Sequence, residues 1–583
     1  MSLPAPPSRE SMLQLLMPLV GPQGPFAIAV NQRGRYFPKG PSSLAAFYAS
    51  QFREFAHSPF LVYEEERLSY AETWIAAKKL ALLMKTRFHV VPGDRVAIGM
   101  RNYPEWCIAF IACGALGAVA VPLNSFWNGK EMAYGLQDSG SKLLFCDGER
   151  FKQVEPFLPT LGLSAIVARS RAPVTEREHV VSYASLQQEM NAMNEPSDSS
   201  ILPNTLQKDD AAIIMYTSGT TGNPKGVVLT QLGVTTQMEA ARLLILLQEK
   251  VSELPGMPSI PAVDQHCVLA IVPFFHVTGL HHLFLTSLIM GRKLVLMFKW
   301  DAQQALRLIQ QERVTQWTGV PTMVLDIMEH PSFKEYDTSS LLSIGSGGAA
   351  PPAPMAKRIA QTFKNGRGTN AYGLTETNGA ICLNSALTFL HKPTSCGSPF
   401  PIVEVKVVDT ETGATLGPNQ RGELLVRSNL VMKEYWNKPE ATAEVITSDG
   451  FFRTGDIATL DEDGFIYIVD RAKDIIIRGG ENISCSEVEN ALYAHPAIRE
   501  CAVFGLPHER LGEEVGVMIL LKQKATAEEL VVFLQDKLAP FKIPPIYNIF
   551  FTPEALPRGA TGKILKRSIR DQVQKNAKLP SRL

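Results

Sequence analysis

Hydrophobic and polar positions alternate along the first part of the chain with two different periods. Apolar residues at helical spacing over 43–55 and 70–87 predict two helices, and short runs of β-branched and aromatic residues at 60–63, 95–98 and 142–146 predict strands. Strands that alternate with helices are typical of an α/β layer architecture, in which helices cover a sheet.

The most apolar run of the chain, residues 107–123, is the candidate for a membrane segment. Gly114 and Gly117 interrupt the run and Pro122 closes it, and it is shorter than the roughly 20 apolar residues that span a bilayer. We interpret it as a buried helix that leads into a core strand, and we expect no membrane span. The opening MSLPAPPSRE also lacks the basic and apolar regions of a secretory signal.

The same alternation returns in a second unit. Residues 170–210 are polar, and we interpret them as a surface excursion. Beyond them, the periodicity predicts helices over 234–247 and 302–312 and buried strands at 267–272 and 293–297. Two units of this kind indicate two stacked α/β subdomains.

The predicted secondary structure changes twice in the last third of the chain. Residues 403–469 consist of short strand-like runs with a hairpin turn at 461–464, and they predict a β subdomain. Beyond Asp474, Ser/Thr-x-x-Glu capping boxes at 486–489 and 526–529 predict two helices of a small domain. The predicted fold class is therefore α/β, with a large N-terminal domain of two stacked α/β subdomains plus a β subdomain, and a small α/β C-terminal domain.

Composition narrows the classes of function. The 583 residues include 57 Lys and Arg against 57 Asp and Glu, so no excess charge favours nucleic acid or an anionic membrane as a partner. The eight cysteines are scattered without C-x-x-C pairs, which indicates reduced, buried thiols of an intracellular protein and no zinc site.

The strongest candidate for chemistry is the stretch YTSGTTGNPKG at residues 216–226. It lies between strand-like runs at 211–215 and 227–229, so it is a loop between strands. Its glycines leave backbone N–H groups free to face inward, and its hydroxyls and Lys225 add donors, which suits ATP phosphates. A Walker P-loop fits worse, because Gly226 follows the lysine where Ser or Thr would hold Mg²⁺. An ordinary surface turn is the alternative.

Three further motifs could complete a nucleotide site. Residues 370–376, NAYGLTE, combine an aromatic ring, a hydroxyl and a carboxylate that could stack a base and ligate Mg²⁺, although an acidic helix start has the same composition. The glycine turn at 347–349 either offers a flat ring close approach to the backbone or is simply a tight turn. In residues 452–456, FRTGD, Asp456 follows a glycine turn, and its carboxylate can accept hydrogen bonds from both ribose hydroxyls.

In this order and at this spacing, the motifs resemble the signature of the adenylate-forming superfamily: acyl-CoA synthetases, luciferases and the adenylation domains of peptide synthetases. The resemblance covers roughly residues 42–567, and it departs from the pattern at Gln231 and Phe451, where His and Trp are common. It implies that Tyr372 stacks on adenine and that Glu376 binds Mg²⁺. The residues implied to contact ATP or AMP are Thr217, Ser218, Gly219, Thr220, Thr221, Gly222, Lys225, Gly347, Gly348, Ala349, Asn370, Ala371, Tyr372, Gly373, Thr375, Asp456, Arg471 and Lys563.

The resemblance also implies that the small domain is mobile. Residues 470–474, DRAKD, resemble the hinge motif of this superfamily. The resemblance implies that Arg471 contacts the nucleotide and that the backbone rotates at Lys473. Gly479 and Gly480 match the loop that lines the pantetheine tunnel of acyl-CoA synthetases, and Lys563 matches the lysine that acts in adenylation. The implied divisions are a lead-in at 1–41, an AMP-binding domain at 42–470, a hinge at 471–474 and a C-terminal domain at 475–583.

The implied reaction has two halves. A carboxylate attacks the α-phosphorus of MgATP to give acyl-AMP and pyrophosphate, and a thiolate then displaces AMP to give a thioester. The catalytic residues would be Lys225, Thr375, Glu376 and Lys563, which position the reactants and neutralise the phosphoryl charge. Domains that take amino acids carry an Asp in the stretch matching 274–277, and its absence disfavours such substrates. Only 20 residues follow Lys563, too few for a carrier domain, so CoA is the expected acceptor.

The acyl pocket implied by the resemblance is apolar and carries no countercharge, which predicts a hydrophobic acid, with medium- or long-chain acids ahead of aryl acids. His276 fits a pocket residue and a core histidine equally well. An aryl-acid CoA ligase, a luciferase-like oxidase and a non-catalytic nucleotide-binding protein are the alternatives. The expected lining residues are Phe275, His276, Val277, Gly279, Val320, Pro321, Ser346, Gly347 and Gly379.

The final tripeptide, Ser581-Arg582-Leu583, resembles the Ser-Lys-Leu address that the peroxisomal import receptor reads. We expect a peroxisomal enzyme, or a cytoplasmic one if this address is not used.

Overall fold

Two large sheets, each covered by helices, form most of the molecule, and a third sheet and a small domain complete it. A computed structural model describes residues 6–203, 205–217, 223–255, 257, 260–346, 355–471, 474–479, 481–559 and 562–578. The α/β class, with a large N-terminal domain of two stacked subdomains and a smaller C-terminal domain, is confirmed.

The first sheet has eight strands among the described residues and is parallel at its centre. Its spatial order is Glu434–Tyr435, Lys225–Thr230, Ala211–Thr217, Val119–Pro122, Arg95–Gly99, Leu143–Asp147, Ser164–Ala168 and Val180–Ser182. The helices of this part are Leu44–Glu54, Tyr70–Thr86, Pro104–Leu116, Gly129–Ser139, Gly148–Val154, Leu158–Leu161, Tyr183–Ala192 and Asp198–Ile201, with a 3₁₀ turn at Glu155–Phe157.

The second sheet has nine strands among the described residues. Its spatial order is Ser398–Pro399, Gly379–Ser385, Arg367–Leu374, Ser343–Ser346, Gln316–Gly319, Cys267–Ala270, Lys293–Leu296, Pro59–Tyr63 and Glu66–Ser69. Its helices are Gln231–Ser252, Thr286–Ile289, Ala302–Glu312, Pro321–Met328, Met355–Thr362 and Ala386–His391, with a π-helix at Thr278–Leu285 and 3₁₀ turns at Phe333–Glu335 and Thr375–Thr377.

The apolar run that could have suggested a membrane segment is the layer between the two sheets. Pro104 opens the helix Pro104–Leu116, and Gly117 ends it in the left-handed conformation at φ 75°, turning the chain into a core strand. The helix is apolar all round because both its faces are covered. The Trp106 ring lies 5.0 Å from Phe274 and 6.0 Å from Phe284 of the second subdomain, measured between ring centroids.

The β subdomain and the small domain follow as expected. The Asp461–Gly464 turn joins two strands of the β subdomain, and Gly464 adopts a φ of 80° that favours glycine. The strands of the β subdomain are Glu404–Val408, Gly422–Arg427, Phe452–Leu460 and Ile466–Arg471. The small domain has the strands Ile476–Arg478, Glu481–Ile483, Ile498–His508, Gly512–Leu521 and Ile549–Thr552, the helices Cys485–Tyr493, Ala527–Gln535 and Lys566–Lys578, and 3₁₀ turns at Pro540–Lys542 and Ile546–Asn548. Peripheral elements are the helices Arg9–Val20 and Pro439–Val445 and the hairpin Ala29–Asn31 with Gly34–Tyr36.

The interpretation of residues 170–210 as a surface excursion is wrong. They contribute the edge strand Val180–Ser182 and the helix Tyr183–Ala192, which buries Leu186. The buried Lys78 amine also pairs with Glu195 at 2.6 Å. A few apolar residues at helical spacing are enough to dock a polar segment on a sheet, and polarity alone conceals them.

One of the two predicted helix caps is displaced. Thr526 and Glu529 form the expected capping box. The preceding helix, Cys485–Tyr493, is instead capped by Ser484, whose side chain accepts a hydrogen bond from the backbone N–H of Glu487. Two Ser-x-x-Glu pairs overlap here, and spacing alone does not choose between them. Glu489 is free for another task and pairs with Lys566 at 2.7 Å.

Two global expectations concern membranes and cysteines. None of the helices that the structure describes has both the length and the apolar composition needed to cross a bilayer. All eight cysteines are free thiols, and they are buried except for the half-buried Cys396.

Candidate active site

One large cavity lies along a face of the nine-stranded sheet and extends to the small domain. Its volume is about 2080 Å³, well above the roughly 300–1,000 Å³ of a site for a single small ligand. It therefore has room for a nucleotide and a second substrate. Side chains from both sheets, the β subdomain and the small domain line it, including Lys225, Tyr372, Asp456 and Lys563.

The expected phosphate loop connects two paired strands. Ala211–Thr217 and Lys225–Thr230 run antiparallel, so that Thr217 lies opposite Lys225, and both residues line the cavity. Tyr216 anchors this hairpin, because its hydroxyl donates to Asp138 at 2.7 Å. The loop residues between these strands, Ser218, Gly219, Thr220, Thr221 and Gly222, lie outside the described residues, so their contact with phosphates remains a prediction.

Tyr372 and Asp456 meet although they come from different subdomains. Tyr372 lies in the strand Arg367–Leu374, and its hydroxyl donates to Asp456 Oδ2 at 2.5 Å. Asp456 follows Gly455, whose φ of 69° makes the turn that presents the carboxylate. Arg471 Nε lies 3.5 Å from Asp456 Oδ1. Burial, and then the charge of Asp456, raise the pKa of Tyr372, so the hydroxyl stays protonated and the carboxylate remains the acceptor.

Glu376 stands at the end of the same strand, in the 3₁₀ turn Thr375–Thr377. Its Oε1 accepts a hydrogen bond from the Tyr435 hydroxyl at 2.9 Å, and the Lys225 amine lies 4.9 Å from the centre of the Tyr435 ring. Burial raises the pKa of Glu376. A cation nearby would lower that pKa again and offset the cost of the buried carboxylate. Tyr435, which the sequence motifs do not mark, thus links the lysine and the carboxylate.

The fit of Glu376 to Mg²⁺ can be judged from its surroundings. Across the described part of the chain, no group of three or more His, Cys, Asp or Glu side chains is placed to hold a metal. Mg²⁺ usually binds through one or two carboxylates and the phosphates of a substrate. A single buried carboxylate therefore fits a metal that arrives with the nucleotide rather than a resident ion.

The small domain places Lys563 in the cavity. The preceding Gly562 has a φ of 82°, and a Cβ at that position would lie 2.7 Å from a methyl group of Val320, so only glycine permits this close approach. Burial, and then the positive charge of Arg471, lower the pKa of the Lys563 amine to about 8. The amine is therefore withdrawn from bulk water and lies in the field of the Asp456 and Arg471 pair.

His276 belongs to the cavity wall. Its Nδ1 accepts a hydrogen bond from the backbone N–H of Thr278 at 3.3 Å. Burial, and then the charge of Lys563, lower the pKa of His276 to about 3. The imidazole is therefore neutral at physiological pH and lies near the lysine.

The other expected acyl-pocket residues separate into two groups. Phe275, Val277, Ser346 and Gly379 line the cavity with His276. Three others do not line it in the described structure: Gly279 packs against the backbone carbonyl of Pro273, Val320 faces Gly562, and Pro321 opens the helix Pro321–Met328.

The remaining expected site residues belong to a glycine turn, the hinge, the Gly479 loop and the Tyr372 strand. Gly347, Gly348 and Ala349, the hinge residue Lys473, and Gly480 lie outside the described residues. Gly479, which precedes Gly480, adopts a φ of 59°, and its backbone N–H donates to the carbonyl of Leu511 at 2.8 Å. Asn370, Ala371 and Gly373 lie on the strand that carries Tyr372, and the last two line the cavity, whereas the Asn370 amide donates to the carbonyl of Ser395.

The expectation of an acyl pocket without a countercharge is wrong for the wall of this cavity. Arg292, His282, Gln316 and Thr318 all line it. The sequence offered a signal in Arg292, a charged residue between apolar segments, but its side chain direction depends on how the strand Lys293–Leu296 is embedded in the sheet.

A cavity for two substrates, a tyrosine–aspartate pair, a buried carboxylate and a lysine from a second domain together define an adenylate-forming enzyme. The chain matches the AMP-binding enzyme family over residues 48–436 and the AMP-binding enzyme C-terminal domain over residues 487–563, and it belongs to this family. Within the family it is an acid–thiol ligase of the CoA ligase branch, as its relatives show.

Two relatives define the degree of similarity. The chain is 33% identical over 535 residues to a long-chain-fatty-acid–CoA ligase of Bacillus subtilis, covering 88% of this chain and 91% of the relative. It is 36% identical over 509 residues to a feruloyl-CoA synthase of an Amycolatopsis species, covering 86% of this chain and 93% of the relative.

Solved structures agree with the fold. ATP-bound MatB from Rhodopseudomonas palustris matches with a TM-score of 0.78 at 26% identity, covering 92% of this chain and 100% of that chain. The o-succinylbenzoate CoA synthetase of Bacillus subtilis, in complex with its acyl-adenylate intermediate, matches with a TM-score of 0.73 at 28% identity. This match covers 90% of this chain and 98% of that chain. ATP and CoA are substrates of this family, and the resemblance inferred from the motifs is confirmed.

Proposed function

We propose that the protein activates a hydrophobic carboxylic acid of medium or long chain as its acyl-AMP and then transfers the acyl group to CoA. The observation that carries the choice of acid is the shape of the cavity. It follows the sheet along the strand Arg367–Leu374, and from Arg367 to Tyr372 that strand rises roughly 16 Å at about 3.3 Å per residue. An extended acyl chain fits a channel of this length better than a single aromatic ring does.

The residues of this face leave room for a chain. Neighbouring strands are paired in register, so that Gly345 lies between Thr318 and Thr369, and Gly345 has no side chain to close the channel. The face is formed by Gln316, Thr318, Ser343, Gly345, Arg367, Thr369 and Ala371. The opposite wall includes Ala241, Leu244 and Ile245 of the helix Gln231–Ser252.

In the first half-reaction, an oxygen of the substrate carboxylate attacks the α-phosphorus of ATP. The bond from that phosphorus to the oxygen that bridges it to the β-phosphorus breaks, and pyrophosphate leaves with that oxygen and the bonding electron pair. Lys563 holds the carboxylate and the developing phosphoryl charge, Lys225 and Thr375 hold phosphate oxygens, and Asp456 holds the ribose. Mg²⁺, when bound at Glu376 with the phosphates, supplies further neutralisation of their charge.

In the second half-reaction, the thiolate of CoA attacks the acyl carbonyl carbon, and AMP leaves with the bonding electron pair. Lys563 occupies the side of the cavity to which the small domain is docked, so the thiol needs a different placement of that domain. A rotation at residues 471–474 would withdraw Lys563 and bring the Gly479 loop to the cavity.

ATP–pyrophosphate exchange with a panel of acids tests the proposal. Decanoate and palmitate should drive exchange more strongly than ferulate or any amino acid, and AMP release should require CoA. Preferential exchange with ferulate would favour an aryl-acid ligase, as the 36% identical feruloyl-CoA synthase suggests. Oxygen-dependent light without CoA-dependent AMP release would indicate a luciferase-like oxidase, and no exchange with any acid would indicate a non-catalytic protein.

The peroxisomal location stays a prediction, because Ser581, Arg582 and Leu583 lie outside the described residues. A fluorescently tagged protein should enter peroxisomes and should lose that location when the three residues are removed. The same distribution for both proteins would contradict it.

A further inference from the structure

The wall of the cavity contains a buried arginine whose hydrogen bonds are incomplete. Arg292 is 6% exposed and lies where the chain enters the strand Lys293–Leu296. Its Nη1 donates to Gln316 Oε1 at 2.6 Å. Its Nε is buried and has no hydrogen-bond partner among the described residues.

The polar groups around Arg292 do not neutralise it. His282 Nε2 lies 3.3 Å from Thr318 Oγ1 and 3.4 Å from Gln316 Nε2. Burial, and then the charge of Arg292, lower the pKa of His282 to about 4, and the same causes lower the pKa of His266 to about 4. Both imidazoles are therefore neutral at physiological pH, and they can take part in hydrogen bonds but not in charge balance.

The guanidinium itself remains charged. Burial lowers the pKa of Arg292 to about 10, which leaves it protonated at physiological pH. Glu249 of the helix Gln231–Ser252 lines the same cavity and its charge favours the protonated guanidinium, but it is solvent-exposed and forms no ion pair with Arg292 in the described structure. A buried cation that has a hydrogen bond but no ion pair is costly, and a negatively charged ligand group in the cavity would offset that cost.

The backbone of Arg292 makes a structural contact of its own. The carbonyl of Arg292 accepts a hydrogen bond from the buried Tyr70 hydroxyl at 3.0 Å, and any residue at this position could provide that contact. This contact does not use the side chain, which donates a hydrogen bond to Gln316, and the residue lines the cavity.

The separation between Arg292 and the reacting centre follows from the strand Gln316–Gly319. Gln316, which binds the guanidinium, begins this strand, and Val320, which faces Gly562 next to Lys563, follows it. Four residues of extended chain rise roughly 13 Å. A ligand that reaches from Lys563 to Arg292 therefore spans on the order of 10 Å.

We propose that the acid activated by this enzyme carries a second oxygen-bearing group, best a carboxylate, at its far end, and that Arg292 and Gln316 bind it. This proposal rests on the proposed function and refines its substrate class. The carbon chain still lies along the channel, and a carboxylate matches the positive charge of the guanidinium, whose residue lines the cavity. A distal hydroxyl would fill the same place as a neutral acceptor.

Matched acids of equal length test the proposal on the wild-type enzyme. ATP–pyrophosphate exchange is measured with decanoate, 10-hydroxydecanoate, decanedioate and the monomethyl ester of decanedioate. We expect kcat/KM for decanedioate to exceed that for decanoate about 10- to 100-fold, with the hydroxy acid between them, because a distal carboxylate pairs with the buried guanidinium charge and a methyl group does not. Equal or better use of decanoate and of the monoester would overturn the proposal without requiring any variant.

Variants identify the residue. Arg292→Met should reduce the ratio of kcat/KM between decanedioate and decanoate to about 1, mainly through KM for the diacid, and Arg292→Lys should restore part of it. Arg307→Met, which removes an exposed arginine on the helix Ala302–Glu312, should leave the ratio unchanged. Thermal unfolding of each variant separates loss of fold from loss of selectivity. A folded Arg292→Met enzyme that keeps the wild-type ratio would overturn the assignment.

The exchange assay also distinguishes failure of the proposed adenylation from failure of the proposed distal site. If no acid of either type drives exchange, the proposed adenylation itself is refuted. If decanoate drives exchange and the second carboxylate gives no advantage, only the distal site is refuted.

Discussion

Replacing Lys563 with alanine should slow acyl-AMP formation far more than thioester formation. The amine lines the cavity. Burial, and then the charge of Arg471, lower its pKa to about 8, because the charged form is partly desolvated. A preorganised cation in such a place is worth about 2.7–4 kcal/mol of transition-state stabilisation, so we expect a loss of about 100- to 1,000-fold in the first half-reaction. The second half-reaction should be near normal, because it needs the small domain in another position.

The same pKa predicts a pH dependence. The protonated form is the active one, and with a pKa of about 8 about 90% of the amines are protonated at pH 7 and about 10% at pH 9. Adenylation by the free enzyme, followed as kcat/KM, should therefore decline as the pH rises through 8. Bound phosphates favour the charged form, so the decline in kcat should lie at higher pH. The alanine variant should lack this decline.

Single-turnover assays of each half-reaction measure both effects. Acyl-AMP formation is followed from ATP and acid, and thioester formation from presynthesised acyl-AMP and CoA. Lys575→Ala, which removes an exposed lysine of the helix Lys566–Lys578, is the matched control and should behave as wild type. Equal losses in both halves for Lys563→Ala, or an unchanged pH profile, would refute the assignment of this lysine to the adenylation step.

Three further substitutions test other contacts. Tyr372→Phe removes the 2.5 Å hydrogen bond to Asp456 and should raise KM for ATP by about 10-fold in the exchange assay, whereas an unchanged KM would separate this pair from nucleotide binding. Gly562→Ala places a Cβ 2.7 Å from Val320 and should lower the adenylation rate, with partial recovery in the double variant with Val320→Ala, and no recovery would assign the loss to backbone strain alone. Trp106→Ala should lower the free energy of unfolding by about 3–5 kcal/mol in urea titrations, and a loss below about 1 kcal/mol would contradict a shared core between the two sheets.

Local patterns predicted much of the architecture. The helix at Ala302–Glu312, the hairpin turn at Asp461–Gly464 and the capping box at Thr526 follow from periodicity and from short-range hydrogen bonds, which depend only on neighbours in the chain. The predicted helix over 234–247 is longer in the structure, Gln231–Ser252, because the side chain of Thr230 caps it earlier. Residues 170–210 were misjudged because their contacts with the sheet are made by few apolar residues.

The site was predicted in parts. Family motifs pointed to Tyr372, Asp456 and Lys563, and all three line one cavity. Tyr435 was missed, because its two-residue strand carries no pattern and acquires its position only by pairing with Lys225–Thr230.

The amino-acid sequence alone is sufficient to identify the family and the fold class with its large and small domains, since hydrophobic periodicity and motif chemistry are properties of consecutive residues. The polarity of the acyl channel, in contrast, is not a property of consecutive residues. Whether Arg292 faces solvent or a cavity depends on which strand pairs beside Lys293–Leu296 and on the helices that cover that sheet. Burial and partner geometry arise only when distant segments pack together, and they make Arg292 a buried charge whose Nε has no hydrogen-bond partner among the described residues.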